Sequence, residues 1–339
     1  MIAVVNFSPE PGSVELREIA EPTAGFGEVV VKVRAVGVCG SDLHQFHGTH
    51  SWPVNYPVAL GHEFAGEIVE LGEGAIDWKI GERVACETAA FICGHCAMCR
   101  TGRYNLCPTR LGFGYGTDGA MTRFVRVPTR IVHRIPRNVP FEDAAMTEPC
   151  CVAANAVVEL SNVKPGDTVA VIGTGPIGLL CAQMARLFNP SRLIVIGLAS
   201  DGPRLEAAKA CGATEVWTTD SMSISPIADL AVDAAGASES LKPALELVKP
   251  GGQIVKVGWG PEPLGFSLDP LVQKAANLQG AFSHTWATWE RVLALMSARK
   301  LTLAPLRRCF RLTEWREAFE AMESRQTVKS ILIPDEDND

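Results

Sequence analysis

Four cysteines fall within 15 residues, spaced Cys93-x2-Cys96-x2-Cys99-x7-Cys107. Thiolates this close together can close a tetrahedral zinc site with no position left for substrate, so the expected role is structural. Gly94 and Gly102 let the loop turn tightly around an ion. An iron–sulfur cluster is the rival reading, because Cys107 is followed by Pro108. Such clusters use x2-x2-x3 spacing, however, and the last interval here is x7. His95 lies between the cysteines and is expected to face solvent.

The other seven cysteines are scattered through a chain of 339 residues. That length suggests about two domains at roughly 100–200 residues each. A formal net charge of −7 argues against a nucleic-acid partner. Met1 to Asn6 carries neither a charged n-region nor a long apolar core, so no secretory signal is expected. The most apolar stretch, Val169 to Ala185, is broken by Gly173, Gly175, Pro176, Gly178 and Gln183, so no membrane span is expected. These readings place the chain in the cytoplasm, where thiols stay reduced and clustered cysteines bind metal.

Residues 1–135 are rich in short β-like runs punctuated by Gly and Pro. Examples are Glu28–Val33, Gly66–Glu70 and Ala120–Val127. From Thr168 to Phe282 the pattern changes. Apolar runs at Val169–Ile172, Leu193–Ile196, Leu230–Val232 and Gln253–Val257 alternate with helical segments, as buried parallel strands do. The stretch Trp289–Asp339 reads as one helix, a strand at Ser330–Ile333 and a solvated acidic tail from Asp335. The fold class is therefore α/β, a doubly wound parallel sheet joined to a β-rich unit.

Val169 to Gly178 reads as a strand followed by G-x-G-x-x-G. Gly173 would make the tight turn, Gly175 would let backbone approach a pyrophosphate, and Gly178 would allow close helix packing. Pro176 suits the first helical turn, and Ile177 follows it. The pyrophosphate would rest on the helix N-terminus. About 20 residues on, an acid normally holds the adenosine ribose and selects NAD. Here Leu193–Ile196 runs into Gly197, Leu198, Ala199 and Ser200 without one. The gap favours NADP, with Ser200 and Arg204 as phosphate partners. Asp201 folding back onto the ribose would favour NAD instead, and both cofactors remain open.

A second metal site is suggested by Cys39-Gly40-Ser41-Asp42-Leu43-His44 and Gly61-His62-Glu63-Phe64-Ala65-Gly66. Cys39, His62 and a carboxylate can hold zinc with a position free for catalysis. The candidate carboxylates are Glu63 and Glu148.

These motifs, with Glu148-Pro149, the cysteine cluster and the glycine motif, occur in one order across nearly the whole chain. The chain resembles the zinc-dependent medium-chain alcohol dehydrogenase and sorbitol dehydrogenase family. The resemblance implies a Rossmann domain at 149–282, and a discontinuous GroES-like catalytic domain at 1–148 and 283–339. It implies Cys39, His62 and Glu148 around the catalytic zinc. In the sorbitol dehydrogenase branch Glu63 is instead the direct ligand, with the second glutamate holding the zinc-bound water. The choice between the two carboxylates stays open. Asp42 would accept the ring N–H of His62. Ser41 and His44 would carry a proton to solvent. Ser200, Asp201, Arg204, Gly258 and Phe282 join the glycine motif as cofactor contacts.

The implied reaction oxidises a secondary alcohol to a ketone, or the reverse, through a zinc-bound alkoxide and hydride transfer to NAD or NADP. Two zinc ions per chain, a small alcohol or ketone substrate, no membrane or nucleic-acid partner, and a homo-oligomer (tetramer or dimer) go with it. The pocket would draw on Gln45–Trp52, Phe113, Tyr115, Trp259 and Phe282–Trp286. Polyol-oxidising relatives carry Arg after the aromatic at Phe282 and Tyr after the histidine at His44. This chain has Ser283 and Gln45 there. Two other readings are a metal-free quinone-type reductase on the same fold, which lacks the Cys39/His62 pair and the cysteine cluster, and a non-catalytic zinc-binding protein, which predicts a broken catalytic set.

Overall fold

A computed structural model describes residues 1–222, 225–260 and 262–335. Sixteen strands are present among the described residues. The first eight are β1 (Ile2–Asn6), β2 (Val14–Glu18), β3 (Glu28–Gly37), β4 (Val58–Ala59), β5 (Glu63–Leu71), β6 (Arg83–Cys86), β7 (Phe124–Pro128) and β8 (Val132–Arg134). Then come β9 (Thr168–Ile172), β10 (Arg192–Gly197), β11 (Glu215–Thr218), β12 (Ala228–Asp233), β13 (Val248–Lys256) and β14 (Asn277–Gly280). The last two are β15 (Arg307–Arg311) and β16 (Lys329–Ile333).

β9 to β14 form one parallel sheet in the order β11-β10-β9-β12-β13-β14. This doubly wound order reverses direction between β9 and β12, and ligands bind such sheets at that crevice. The four apolar runs lie on the four inner strands, where both faces are covered. β11 and β14 carry no apolar run because they are edge strands: one is half-buried and the other mostly exposed.

The β-rich part holds a sheet in the order β15-β16-β3-β5-β6-β8, with β7 also paired to β3. The chain therefore leaves this part after β8 and returns to it through β15 and β16. β16 joins β3 antiparallel through Ile331 and Leu332. That return brings Lys329 and the turn before it beside the segments that carry Cys39 and His62.

Two sequence expectations differ here. Ala120–Arg123 does not extend β7, because the Ala120 and Met121 N–H groups donate to the Gly61 and Leu60 carbonyls instead. The C-terminal stretch holds two helices, Trp286–Ser297 and Trp315–Glu323, and two strands rather than one of each. Of the expected acidic tail, Glu336 to Asp339 lie outside the described residues.

A partly buried polar joint ties the cysteine-rich loop to the C-terminal helices. The Tyr104 hydroxyl donates to Glu87 Oε2 at 2.8 Å and accepts the Trp286 N–H. His133 lies between Glu87 at 3.1 Å and Glu290 at 2.6 Å, with the Trp286 ring 3.9 Å away. Asn105 donates its side-chain N–H to the Phe282 carbonyl at 2.9 Å.

Candidate metal and dinucleotide site

Cys39 stands at the N-cap of the helix Gly40–Phe46, and His62 immediately precedes β5, which Glu63 opens. One donor atom from each of Cys39, His62 and Glu63 lies within 4.8 Å of the other two. Tetrahedral zinc with bonds of 2.0–2.3 Å holds its donors about 3.6 Å apart, so a small inward adjustment would fit an ion. A thiolate, an imidazole and a carboxylate form a donor set that zinc favours, and the fourth position would remain open. Burial works against a charged His62. The Cys39 thiolate, then Asp42 and Glu148, outweigh it and hold the imidazole well above its usual pKa. Metal binding must therefore release that proton.

Asp42 is fully buried, and its partner differs from the expected one. Its Oδ2 accepts the Cys39 N–H at 2.8 Å, while Oδ1 stands 4.0 Å from His62 Nδ1. The contact to His62 is thus an ion pair rather than a hydrogen bond. Asp42 fixes the backbone that presents the thiolate.

The two candidate carboxylates have different partners. Glu63 forms an ion pair with Lys329, and both side chains are almost completely buried. Burial opposes the lysine charge, but Glu63 and Cys39 hold its pKa above the ordinary value. Glu148, in the first turn of the helix Thr147–Ala154, meets His284 Nε2 at 3.1 Å. The Trp289 indole N–H donates to His284 Nδ1 at 2.8 Å. Trp289 can only donate, so Nδ1 is the acceptor and Nε2 carries the proton toward Glu148. Burial alone would raise the Glu148 pKa, yet the His284 bond holds it below the usual range. Sequence reasoning missed Lys329, His284 and Trp289. A lysine opening the buried strand Lys329–Ile333 was the available signal for the first. His284 falls within the expected pocket stretch Phe282–Trp286, but nothing in the local sequence marks its contact with Glu148.

Ser41 and His44 lie on the helix behind Cys39, and His44 Nδ1 is 2.9 Å from the Thr49 hydroxyl. Burial, then His47 and His50, lowers the His44 pKa, so this ring is neutral at pH 7.

The sulfurs of Cys93, Cys96, Cys99 and Cys107 converge within 4.8 Å. The Cys96 N–H points at Cys93 Sγ and the Cys93 N–H at Cys107 Sγ, at 3.3 and 3.4 Å. Burial opposes ionisation of Cys107, but the Cys93 N–H and the Thr109 hydroxyl bring it down to about 6. Such N–H groups stabilise thiolates as metal ligands. All eleven cysteines are free of disulfides.

The glycine motif has the expected shape. Gly173 has φ +112°, and a Cβ there would meet the Ala234 and Ala235 backbone at 2.9–3.0 Å. A Cβ at Gly178 would lie 2.0 Å from the Gly173 carbonyl oxygen, whereas one at Gly175 would meet nothing within 4 Å. Gly175 therefore faces open space at the N-terminus of the helix Pro176–Arg186, where an anion would rest. Gly258 follows β13, and a Cβ there would press on the Gly236 N–H at 2.6 Å. Ile177 is half-buried in the first helical turn.

At the ribose end the assignments shift. Asp201 Oδ2 accepts the Thr174 hydroxyl at 2.7 Å and the Leu198 N–H at 2.8 Å. Arg204 donates Nη2 to the Met322 and Thr327 carbonyls at 2.7 and 2.9 Å. It is a structural tie between the two parts of the fold rather than a free cation. Ser200 is exposed and meets Arg325 instead.

Of the expected pocket residues, Trp52, Trp259 and Phe282 form a row, with centroids 5.5 and 6.0 Å apart. His44 and His50 flank Trp52. Gln45 is buried and donates to the Gly114 carbonyl, Phe113 packs on Phe64, and Trp286 covers His133. These three do not belong to the row.

The family model for the alcohol dehydrogenase GroES-like domain matches residues 25–137, and that for zinc-binding dehydrogenase matches residues 176–298. The chain belongs to the zinc-dependent medium-chain alcohol dehydrogenase family, and it is an NAD(P)-linked enzyme acting on CH–OH groups. It is 36% identical to a sorbitol dehydrogenase of Halalkalibacterium halodurans, over 98% of this chain and 99% of the relative. The structure is similar to galactitol-1-phosphate dehydrogenase from Escherichia coli, with TM-score 0.89, 29% identity and coverage of 98% and 100%. It is also similar to a Sinorhizobium meliloti 1021 protein assigned as a zinc-binding dehydrogenase and bound to NADP, with TM-score 0.90, 29% identity and coverage of 98% and 99%. No helix among the described residues is long and apolar enough to cross a membrane.

Proposed function

We propose that this dehydrogenase oxidises a secondary alcohol of a polyol-like substrate, or reduces the corresponding ketone. The observation that carries the reading is the convergence of Cys39, His62 and Glu63. In this reading those three side chains hold the catalytic zinc, and Glu148 stands beside them. Bound zinc supplies a Lewis acid that stabilises negative charge on the substrate oxygen. Cys39 and Glu63 together offset the charge of a divalent ion. His284 keeps Glu148 ionised and aimed, so that it accepts a proton or hydroxyl next to the metal position. Ser41 passes the alcohol proton to His44, whose neutral ring can take it toward solvent. Gly175 and the helix N-terminus seat the pyrophosphate, while Trp52, Trp259 and Phe282 exclude water from the reacting carbon. Cys93, Cys96, Cys99 and Cys107 hold a second, structural zinc.

The substrate class draws on the relatives, whose names include sorbitol and D-arabitol-phosphate dehydrogenases. Gln45 and Ser283 stand where polyol-oxidising relatives carry Tyr and Arg, so hydroxyl recognition here rests on other groups. The same reading divides the chain into a catalytic domain at 1–148 and 283–339 and a cofactor domain at 149–282. It places the enzyme in the cytoplasm as a homo-oligomer. The exposed Leu278 on the edge strand β14 and the exposed Val272 before it supply apolar surface for a second copy.

The test is a screen of alcohols and ketones, followed by the absorbance of reduced nicotinamide. Turnover of vicinal secondary alcohols that disappears in Cys39→Ser, while the protein stays folded, is the expected result. Normal turnover in Cys39→Ser would overturn the assignment, and activity indifferent to chelation would favour a metal-free reductase.

A further inference from the structure

We propose that Arg325, reaching across from the C-terminal return of the chain, forms with Ser200 a receptor for the 2′-phosphate of NADP. The inference rests on the dinucleotide site described above and deepens it.

β10 ends at Gly197, where an acid would select NAD. A Cβ at this position would meet Thr174 Cγ2 at 2.6 Å and Asp201 Oδ2 at 3.0 Å, so the space is already filled. Asp201 does not stand in as a ribose acceptor. Its Oδ2 is saturated by Thr174 and Leu198, and its Oδ1 faces Arg325 Nη1 at 3.3 Å. Its side chain is 8% exposed, so the carboxylate braces the glycine loop from below. Arg204 is spent on the Met322 and Thr327 carbonyls.

Arg325 is only partly committed, because its contacts to Ser200 and Asp201 both use Nη1. It follows the helix Trp315–Glu323 at φ +62°, in a turn closed by its own N–H to the Met322 carbonyl. Its side chain is 37% exposed, and Nη1 lies 2.5 Å from the Ser200 hydroxyl. Its Nε and Nη2 make no hydrogen bond among the described residues. A guanidinium presents these donors as a planar fork suited to phosphate. Ser200 adds a hydroxyl, and the guanidinium would share its charge between Asp201 on the Nη1 side and a phosphate on the open Nε–Nη2 edge. An exposed fork and hydroxyl, side by side at the end of the second strand of a dinucleotide fold, are what a ribose 2′-phosphate requires. The cation comes from outside the nucleotide-binding sheet, which is why the local sequence after β10 does not reveal it.

The experiment compares binding of 2′,5′-ADP and 5′-AMP by calorimetry, and kcat/KM with NADPH and NADH, in the wild type, Arg325→Gln, Arg325→Lys and Ser200→Glu. The wild type should bind 2′,5′-ADP more tightly. Arg325→Gln should lower the NADPH-to-NADH ratio of kcat/KM by about tenfold or more, with Arg325→Lys recovering part of it. Ser200→Glu, at an exposed position that tolerates substitution, should repel the phosphate and lower the same ratio. Equal binding of the two nucleotides by the wild type would overturn the proposal, as would equal losses with both cofactors in Arg325→Gln. A strict NAD-linked dehydrogenase would refute the phosphate receptor while leaving the proposed function standing.

Discussion

Replacing Lys329 by Met removes the cation that faces Glu63 in the candidate metal site. The two side chains are 2% and 1% exposed, so water cannot take over the charge. Removing one partner of a buried ion pair typically costs about 3–5 kcal/mol, because the remaining charge is stranded. For a cooperative unit of 150–250 residues, each kcal/mol lowers Tm by about 2–4 °C, giving a loss of roughly 6–20 °C. The stranded Glu63 would then favour its protonated form in the folded state. Burial already holds the Glu63 pKa above its ordinary value beside Lys329, and losing the lysine raises it further, so the deficit against the wild type should deepen as pH climbs above the wild-type Glu63 value. Adding zinc should return part of the loss, because the ion supplies positive charge to the same carboxylate. Differential scanning calorimetry of the metal-free and zinc-loaded proteins, with Glu63→Gln and the double variant, gives the cycle. The double variant should be more stable than Lys329→Met alone. A Lys329→Met protein within about 2 °C of the wild type, or a double variant no better than the single, would refute the reasoning.

The Cys96→Ser protein should bind about one zinc per chain instead of about two by elemental analysis, and should unfold at lower temperature than the wild type. His284→Phe removes the donor to Glu148 and leaves the Trp289 N–H unpaired. It should cost about 1–3 kcal/mol in denaturant unfolding, and His284→Gln, which can still donate, should cost less. At Asp229, burial raises the pKa, but the Lys249 ammonium and the Thr168 N–H hold it below the usual value. The stability from this depressed pKa is full above the unfolded pKa of about 3.9 and is lost as pH falls through the lower folded value. Asp229→Asn should therefore flatten the acid limb of a stability–pH profile, and an unchanged limb would count against the pairing.

The inner Rossmann strands were legible because buried parallel strands demand continuous apolar runs, and each such run became a strand. The glycine motif was legible because the backbone itself requires those residues: Gly173 and Gly178 sit where any side chain would strike main-chain atoms. The clustered cysteines announce themselves through spacing, and their sulfurs converge as that spacing requires. What stayed hidden depends on contacts between distant segments. Lys329 meets Glu63 only because β16 returns to pair with β3. His284 acquires its tautomer from Trp289 and its purpose from Glu148, far away in sequence. Arg204 looked like a phosphate ligand from its local position, and its three backbone bonds to the C-terminal turn could not be read from the segment around it. β11 and β14 escaped notice because edge strands need only one covered side.

With a zinc ion bound as proposed, the polar joint at the cysteine-rich loop would give that structural site a say in catalysis. Tyr104 and Asn105 lie three and two residues before Cys107, inside the loop that the second ion would close. One holds the Trp286 N–H and the other the Phe282 carbonyl. Phe282 stands in the aromatic row with Trp259, and His284, the partner of Glu148, lies between the two anchored positions. The loop thus works as a clamp on both ends of a five-residue stretch that touches cofactor pocket and metal carboxylate together. Loosening it would blur the aim of Glu148 before it unfolded the protein, so a site with no vacancy for substrate would still set how well the open site performs.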